Sequence, residues 1–468
     1  MRVLMFAAMM ALAPLATAEQ NPSAAYIQRA MTMLEDSTPE GFQVTWRSYP
    51  LFARQYEPQP AATRTLLVQG CEKRTHTLAL VAKGSAPGIS HFVVHAPARQ
   101  AAADGHAATA PATEEAEILT PPPAPQPRIN GAKVFGARPG HPLLYTIAAT
   151  GRRPMTFSVA NLPEGLRVAP ETGRISGAVA ERGTYRVMLR AENALGHAQR
   201  ELRIVVGDQL LLTPLLGCNT WGGWGAKVTD ANVRAAAKAM IDTGLVHHGW
   251  QYINIDDGWQ GHRGGPYAAI LPNDRFPDMK ALCDDIHDLG LKAGIYSTPW
   301  TTSYAGFVGG SSDDPQGAWE RPKAVRDGWR CGKHFFETND ARQWAAWGFD
   351  YAKYDWGVDE VAITRRMAEA LAAGDRDIVL ELSNSVPLDK AAEHTSLAHL
   401  SRTTGDLVDY WDRSRMPEGI RRWAVGIREV WLAHDAWAPH QRPGHWNHAC
   451  NLRIGLLGGW RNQPLTPT

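Results

Sequence analysis

Lys353 and Asp355 stand two residues apart in Tyr351-Ala352-Lys353-Tyr354-Asp355-Trp356, a short apolar and aromatic run. Strand side chains alternate between faces, so Tyr351, Lys353 and Asp355 are expected on one side and Ala352 and Tyr354 on the other. An ammonium that close favours the ionised carboxylate, which is the state a carboxylate nucleophile needs. A structural ion pair at a strand end fits the same residues. Two further stretches carry acids in similar settings. Tyr252-Ile253-Asn254-Ile255-Asp256-Asp257-Gly258-Trp259 sets two adjacent carboxylates before a glycine and a large aromatic, and Arg402-Thr403-Thr404-Gly405-Asp406 sets an arginine four residues before an aspartate. Adjacent acids are costly to bury as ions unless donors bind them, and sugar hydroxyls are good donors. Asp355 and Asp406 together meet the requirement for glycoside hydrolysis: one carboxylate to attack, one acid to protonate the leaving oxygen.

These residues need strands whose ends open onto one face. After Gly207 the chain alternates strand, loop and helix. The pattern predicts strands over 214–219, 251–256, 291–297, 350–355, 377–383, 399–404 and 445–451. Amphipathic helices are expected over 230–243, 279–289, 340–347, 360–372, 388–397 and 420–433. Such alternation argues for a parallel sheet, and its length and count for a (β/α)8 barrel, where polar residues at strand C-termini are the first suspects for chemistry.

The preceding chain divides by composition. Residues 1–18 read as a signal peptide, with Arg2, an apolar run from Val3 to Leu15 and an Ala16-Thr17-Ala18 cleavage site. An exported protein, periplasmic or extracellular, is therefore expected, with no membrane attachment after cleavage. Residues 19–98 combine a helical pattern over 25–34 with β-rich runs over 64–68 and 77–81, a small α+β region. Residues 99–128 are rich in Ala, Pro, Thr, Glu and Gln and read as a linker. Residues 129–207 show short alternating runs between turn residues, as in a small β-sandwich. Leu162-Pro163-Glu164-Gly165-Leu166, Thr172 to Gly177 and Gly183-Thr184-Tyr185 resemble the immunoglobulin-like domains that bacterial exported enzymes carry as appendages. A spacer role is the expectation for it.

Composition narrows the partners. With 48 basic and 47 acidic residues the net charge is +1, which gives no argument for nucleic acid or an anionic membrane. Many of the 17 tryptophans follow residue 220, as a pocket for flat sugar faces or an aromatic core would require. The five cysteines, Cys71, Cys218, Cys283, Cys331 and Cys450, show no C-x-x-C spacing, so neither a disulfide framework nor a zinc site is implied.

Six motifs then fall in order: Gly217 to Trp221, Tyr252 to Trp259, Gly294 to Ser297, Trp347 to Asp355, Arg402 to Asp406 and Pro443 to Asn447. Their order and spacing over residues 211–455 resemble glycoside hydrolase family 27, the α-galactosidases and α-N-acetylgalactosaminidases. The resemblance implies a retaining mechanism on a (β/α)8 barrel. Asp355 would be the nucleophile and Asp406 the acid that becomes the base, with the carboxyl groups about 5 to 5.5 Å apart. Asp256 and Asp257 would bind O4 and O6 of galactose, Trp221 would pack on the ring, and Lys353, Tyr296 and Arg402 would hold further hydroxyls. It implies an α-galactoside oligosaccharide or polysaccharide as substrate and neither metal nor organic cofactor.

The chain departs from that pattern in four places. Cysteines common in the family after the second-strand acids and near the nucleophile correspond to Gly258 and Gly357, so those disulfides are absent. The resemblance implies that the segment after the fifth strand, residues 383–387, would stand beside the sugar's C2, where Ser383 and Asn384 are small. They leave α-N-acetylgalactosaminidase open as an alternative, and β-L-arabinopyranosidase as a related one. Trp446-Asn447-His448-Ala449-Cys450-Asn451-Leu452 replaces a motif with two acids; His445, His448 and Cys450 could be read as metal ligands, but no fourth is signalled. No eighth strand, eighth helix or C-terminal β-domain is recognisable before Thr468. A C-terminally incomplete barrel from a longer enzyme is therefore expected, with an inactive carbohydrate-binding remnant as the rival from another class.

Overall fold

The computed structural model describes residues 122–449, except 385 and 409, together with the backbone of four strands between residues 41 and 95. Two compact units result, residues 1–122 and 123–468. In the first, Gly41–Pro50, Thr63–Gln69, His76–Leu78 and Pro87–His95 form an antiparallel sheet with the first and last of these at its centre. The strands at Thr63–Gln69 and His76–Leu78 fall on the two β-rich runs. The expected helix over 25–34, the signal peptide and the linker up to residue 121 lie outside the described residues.

The second unit opens with a β-sandwich. One sheet joins Leu166–Val168, Arg174–Gly177 and Leu143–Thr146; the other joins Val134–Ala137, Gly196–Val206, Gly183–Asn193 and Thr156–Ala160. Period-2 patterning builds it: Val187, Leu189 and Ala191 are buried, while Met188 points outward. Ile175, Leu202 and Ile204 complete a fully buried centre.

Seven parallel strands follow, hydrogen-bonded in chain order: Gly217–Asn219, Tyr252–Asn254, Lys292–Ser297, Tyr351–Tyr354, Val379–Leu382, Leu400–Arg402 and Trp446–His448. The sheet curls. Leu211, just before the first strand, accepts hydrogen bonds through its carbonyl from Gly444 N (3.2 Å) and the Trp446 indole N–H (2.7 Å) at the start of the seventh. This arrangement fits a TIM-like barrel. Outward-facing Ile253, Ile295, Ala352, Tyr354 and Leu380 pack on Val233, Leu282, Ile286, Trp344 and Met367 of the surrounding helices. Each such buried aliphatic contributes about 1.5–3 kcal/mol. Inside, Tyr252, Tyr351, Val379 and Leu400 close the N-terminal end against Leu211 and Leu215.

Helix ends explain the strand starts. Thr229 caps Asp230–Asp242 by accepting from Asn232 N at 3.2 Å, and Asp278 caps Met279–Asp288 through Ala281 N at 2.9 Å. Glu337–Trp347 stops at Gly348, whose φ of 100° is a left-handed cap, and the chain enters the fourth strand at Tyr351. The helix expected over 420–433 is a correction. Glu418–Arg421 is a separate short helix, Ala424–Val425 pairs in parallel with Asp406–Leu407, and the long helix runs Ile427–Trp437. Glu429 starts it by accepting from Gly426 N at 2.9 Å, and the apolar Ala424-Val425 pair is buried as a strand. The hairpin Gln260–Gly264 with Ala269–Pro272 had no counterpart in the sequence reading. Whether an eighth strand exists concerns residues 450–468, outside the described residues.

Candidate active site

Register sets the polar residues in one layer. Lys353 lies level with Tyr296 on one neighbouring strand and Glu381 on the other, and Arg402 level with His448. The alternation along 351–355 holds: Ala352 and Tyr354 pack outward, while Lys353 and Asp355 turn into the curl of the sheet.

Two linked clusters occupy the C-terminal edge. In the first, Lys353 Nζ donates to Asp256 at 2.8 Å and lies 3.8 Å from Asp355. Asn219 donates to Asp256 at 2.8 Å, Asn384 donates to Asp355, and Lys353 sits 5.4 Å from the Tyr296 ring centroid. In the second, Arg402 donates to Ser383 Oγ at 2.9 Å and to Asp406 at 2.6 Å. Ser383 and Asn384 are chain neighbours, so the short turn after the fifth strand ties the Asp355 cluster to the Asp406 cluster. Asp256, Asp257, Tyr296, Asp355, Ser383 and Arg402 are buried, whereas Asp406 keeps a quarter of its side chain exposed.

Electrostatics separate these acids. Burial raises the Asp355 carboxyl above its ordinary value, opposed by Lys353. Burial also works against the Lys353 charge, but Asp256 and Asp355 more than offset it and raise that pKa. Asp257 is pushed up to about 7 by burial although three groups donate to it: Ala305 N at 2.7 Å, Ser303 Oγ at 2.7 Å and Gln260 Nε2 at 3.0 Å. Asp257 therefore holds the loop after the third strand, a contact the sequence reading did not include. Gly258, next to it, has φ 118°, and a Cβ there would fall 2.8 Å from the Ala226 carbonyl. The position that resembles a family cysteine has no room for a side chain.

An aromatic wall stands beside the acids. Trp300 and Tyr304 each stack on both Trp329 and Trp356, with ring centroids 5.1–5.8 Å apart and interplanar angles of 6–26°. Trp221, following the first strand, meets Tyr304 edge-on at 6.1 Å. The wall is registered on the carboxylates by chain connectivity: Trp356 follows Asp355, and Tyr304 lies between Ser303 and Ala305, two of the three residues that hold Asp257. Trp356 and Asn384 both take left-handed backbone, φ 62° and 63°. That conformation is uncommon for a bulky aromatic and marks a strained turn at the strand end.

Level with Lys353, Glu381 accepts from the Tyr351 hydroxyl and pairs with His448 Nδ1 at 2.6 Å. Burial disfavours its ionised form, but His448, Lys353 and the Tyr351 hydroxyl together outweigh that and hold the carboxyl at about 2. The residues read as metal-ligand candidates do not converge: His445 Nε2 contacts Ser401 Oγ at 3.0 Å, His448 is taken by Glu381, and Cys450 lies outside the described residues. Glu381 was legible as the one acid in an apolar strand, Val379–Leu382. Asn219 lay inside a quoted motif. Ser303, Gln260 and the stacked rings lie in loops with no periodicity to flag them.

Both segments of this unit are similar to known proteins. Residues 226–317 match the family model described as Alpha galactosidase A, and residues 126–207 the one described as Putative Ig domain. Alpha-galactosidase A of Cellvibrio japonicus is 30% identical over 257 residues, covering 53% of this chain and 56% of that one. Alpha-galactosidase 2 of Arabidopsis thaliana is 29% identical over 262 residues, covering 55% and 57%. The chain thus spans about half the length of the curated relatives it matches. A solved structure of a putative alpha-galactosidase from Bacteroides fragilis superposes with a TM-score of 0.60 at 32% identity, covering 69% of this chain and 65% of that one.

Proposed function

We propose that this chain, whose barrel segment carries the glycoside hydrolase family 27 signature, is a retaining hydrolase of terminal α-D-galactosides. In this reading the curled sheet is the wall of a (β/α)8-type barrel and the site lies at its C-terminal mouth. Asp355 attacks the anomeric carbon and forms a glycosyl-enzyme. Asp406 protonates the leaving oxygen, then takes a proton from the water that hydrolyses the intermediate. Lys353 keeps Asp355 ionised against its burial, and Arg402 orients Asp406 from below. Asp256 and Lys353 bind ring hydroxyls, with Trp221 against the sugar face.

The observation that carries the proposal is the pairing of two carboxylates through one turn. Asp355 is held by Asn384 and Asp406 by the arginine that also binds Ser383, so both acids are fixed to the same strand ends. Hydrolysis of a nitrophenyl α-galactoside followed by NMR should release the α-anomer first. Asp355→Ala should lose turnover and regain part of it with azide, giving a β-galactosyl azide. Initial release of the β-anomer, or undiminished turnover in Asp355→Ala, would refute the assignment.

A further inference from the structure

A cavity of about 210 Å³ lies at the opposite end of the sheet, between the β-sandwich, the 210–216 segment and the starts of the second to fifth strands. Its walls are mostly apolar: Phe135, Tyr145, Leu210, Leu212, Leu216 and Val379. One ammonium faces it. Lys292, the first residue of the third strand, is 9% exposed, and its Nζ lies 5.3 Å from the Phe135 ring centroid and 5.8 Å from that of Tyr252. Two rings from two domains thus flank a single buried charge.

Two acids, Asp350 and Asp377, also line the cavity, and both are already engaged. Asp350 accepts from Arg376 at 2.7 Å, His287 at 2.7 Å and Ala293 N at 2.9 Å. Asp377 accepts from Arg138 Nε at 2.7 Å and Arg138 N at 2.9 Å. Three cations (Arg138, Arg376, Lys292) thus face two carboxylates (Asp350, Asp377). Among the described residues Lys292 Nζ makes no hydrogen bond to an oxygen; it meets the two ring faces and the longer-range charges of Asp350 and Asp377. Burial lowers the Lys292 pKa, while Asp350 opposes that. A buried ammonium without an acceptor is costly, and a bound anion removes the cost. The apolar walls disfavour a fully hydrated inorganic ion, and the space admits more than a single water.

We propose that this cavity binds a small apolar monocarboxylate, its carboxylate on Lys292 Nζ and its hydrocarbon part against the leucines of the 210–216 segment. Such a ligand touches the sandwich, the connecting segment and the sheet together, so its binding stabilises their junction. The site is remote from the strand C-termini and independent of the hydrolase reading.

Thermal unfolding of the full chain with benzoate at constant ionic strength tests it, with chloride and benzyl alcohol as controls. Benzoate should raise Tm in a saturable way, following ligand linkage, and neither control should match it. Lys292→Arg should keep the effect and Lys292→Gln should weaken benzoate binding at least tenfold. If Lys292→Gln does not fold, calorimetric titration of the native protein decides, because saturable preference for the acid over the alcohol is required. Equal shifts from benzoate and benzyl alcohol, no shift from benzoate, or undiminished binding in Lys292→Gln overturns the assignment.

Discussion

Asp350 and Asp355 flank one strand, Tyr351–Tyr354, and both are buried, yet they have opposite surroundings. At the N-terminal side burial acts against the Asp350 charge, but Lys292, Arg376 and His287 outweigh it and hold the carboxyl well below the usual range. Asp355 at the C-terminal side has Lys353 at 3.8 Å and Asn384, and its carboxyl is raised. A buried acid surrounded by enough cations is locked as a structural ion. One left short of donors has capacity to bind or react. The same contrast separates Lys353, paired with two carboxylates at 2.8 and 3.8 Å, from Lys292, which acts on Asp350 only at longer range.

The sharpest way to break that comparison is to neutralise each aspartate in turn. Asp355→Asn should lower kcat by about 10⁴-fold or more while the urea midpoint stays close to that of the parent. Asp350→Asn should do the reverse. It leaves Arg376 and His287 facing a group that no longer carries charge, so about 3–5 kcal/mol of stability should go. Specific activity per folded molecule should remain within a few-fold. An Asp350→Asn protein that keeps its stability but loses turnover would erase the distinction between the two ends.

Much of the site was legible because strand geometry is simple. Alternation along 351–355 needs only a two-residue period, and it puts Lys353 and Asp355 on the inner side as expected. The acids at 256, 257 and 406 were visible because charge at the end of an apolar run is conspicuous. What escaped was non-local. Asp257 is held by Ser303 and Ala305, 46 and 48 residues away, and nothing in either segment announces the other. The stack of Trp300, Tyr304, Trp329 and Trp356 likewise comes from separate loops. The helix over 420–433 failed for a local reason: periodicity cannot see that Gly426 and Glu429 begin a new helix.

A third test sharpens the role of the cation. Lys353→Met leaves Asp256 and Asp355 without their shared ammonium, so each loses a partner and the Asp355 carboxyl should rise further. Turnover should fall about 10²-fold at neutral pH, with the acid limb of the kcat/KM profile moved to higher pH. A uniform loss with an unmoved acid limb would mean that Lys353 binds sugar without tuning the nucleophile.

Asp257 supplies the smallest and most delicate test, because its two influences oppose each other. Burial takes the carboxyl from its ordinary 3.8 to about 7, while Ala305 N, Ser303 and Gln260 favour the ionised form. A folded-state pKa above the unfolded one means that the native state binds the extra proton between those values. Stability from this group is therefore present at low pH and is lost as pH rises from about 4 to about 7. Asp257→Asn cannot ionise and lacks that slope. The stability difference between parent and variant, from urea unfolding at about pH 4.5 and about pH 7.5, should shift against the parent at the higher pH. A difference that does not change would mean that the three donors outweigh burial. Asp257 would then be an ionised anchor for the Tyr304 loop, closer in kind to Asp350 than to Asp355.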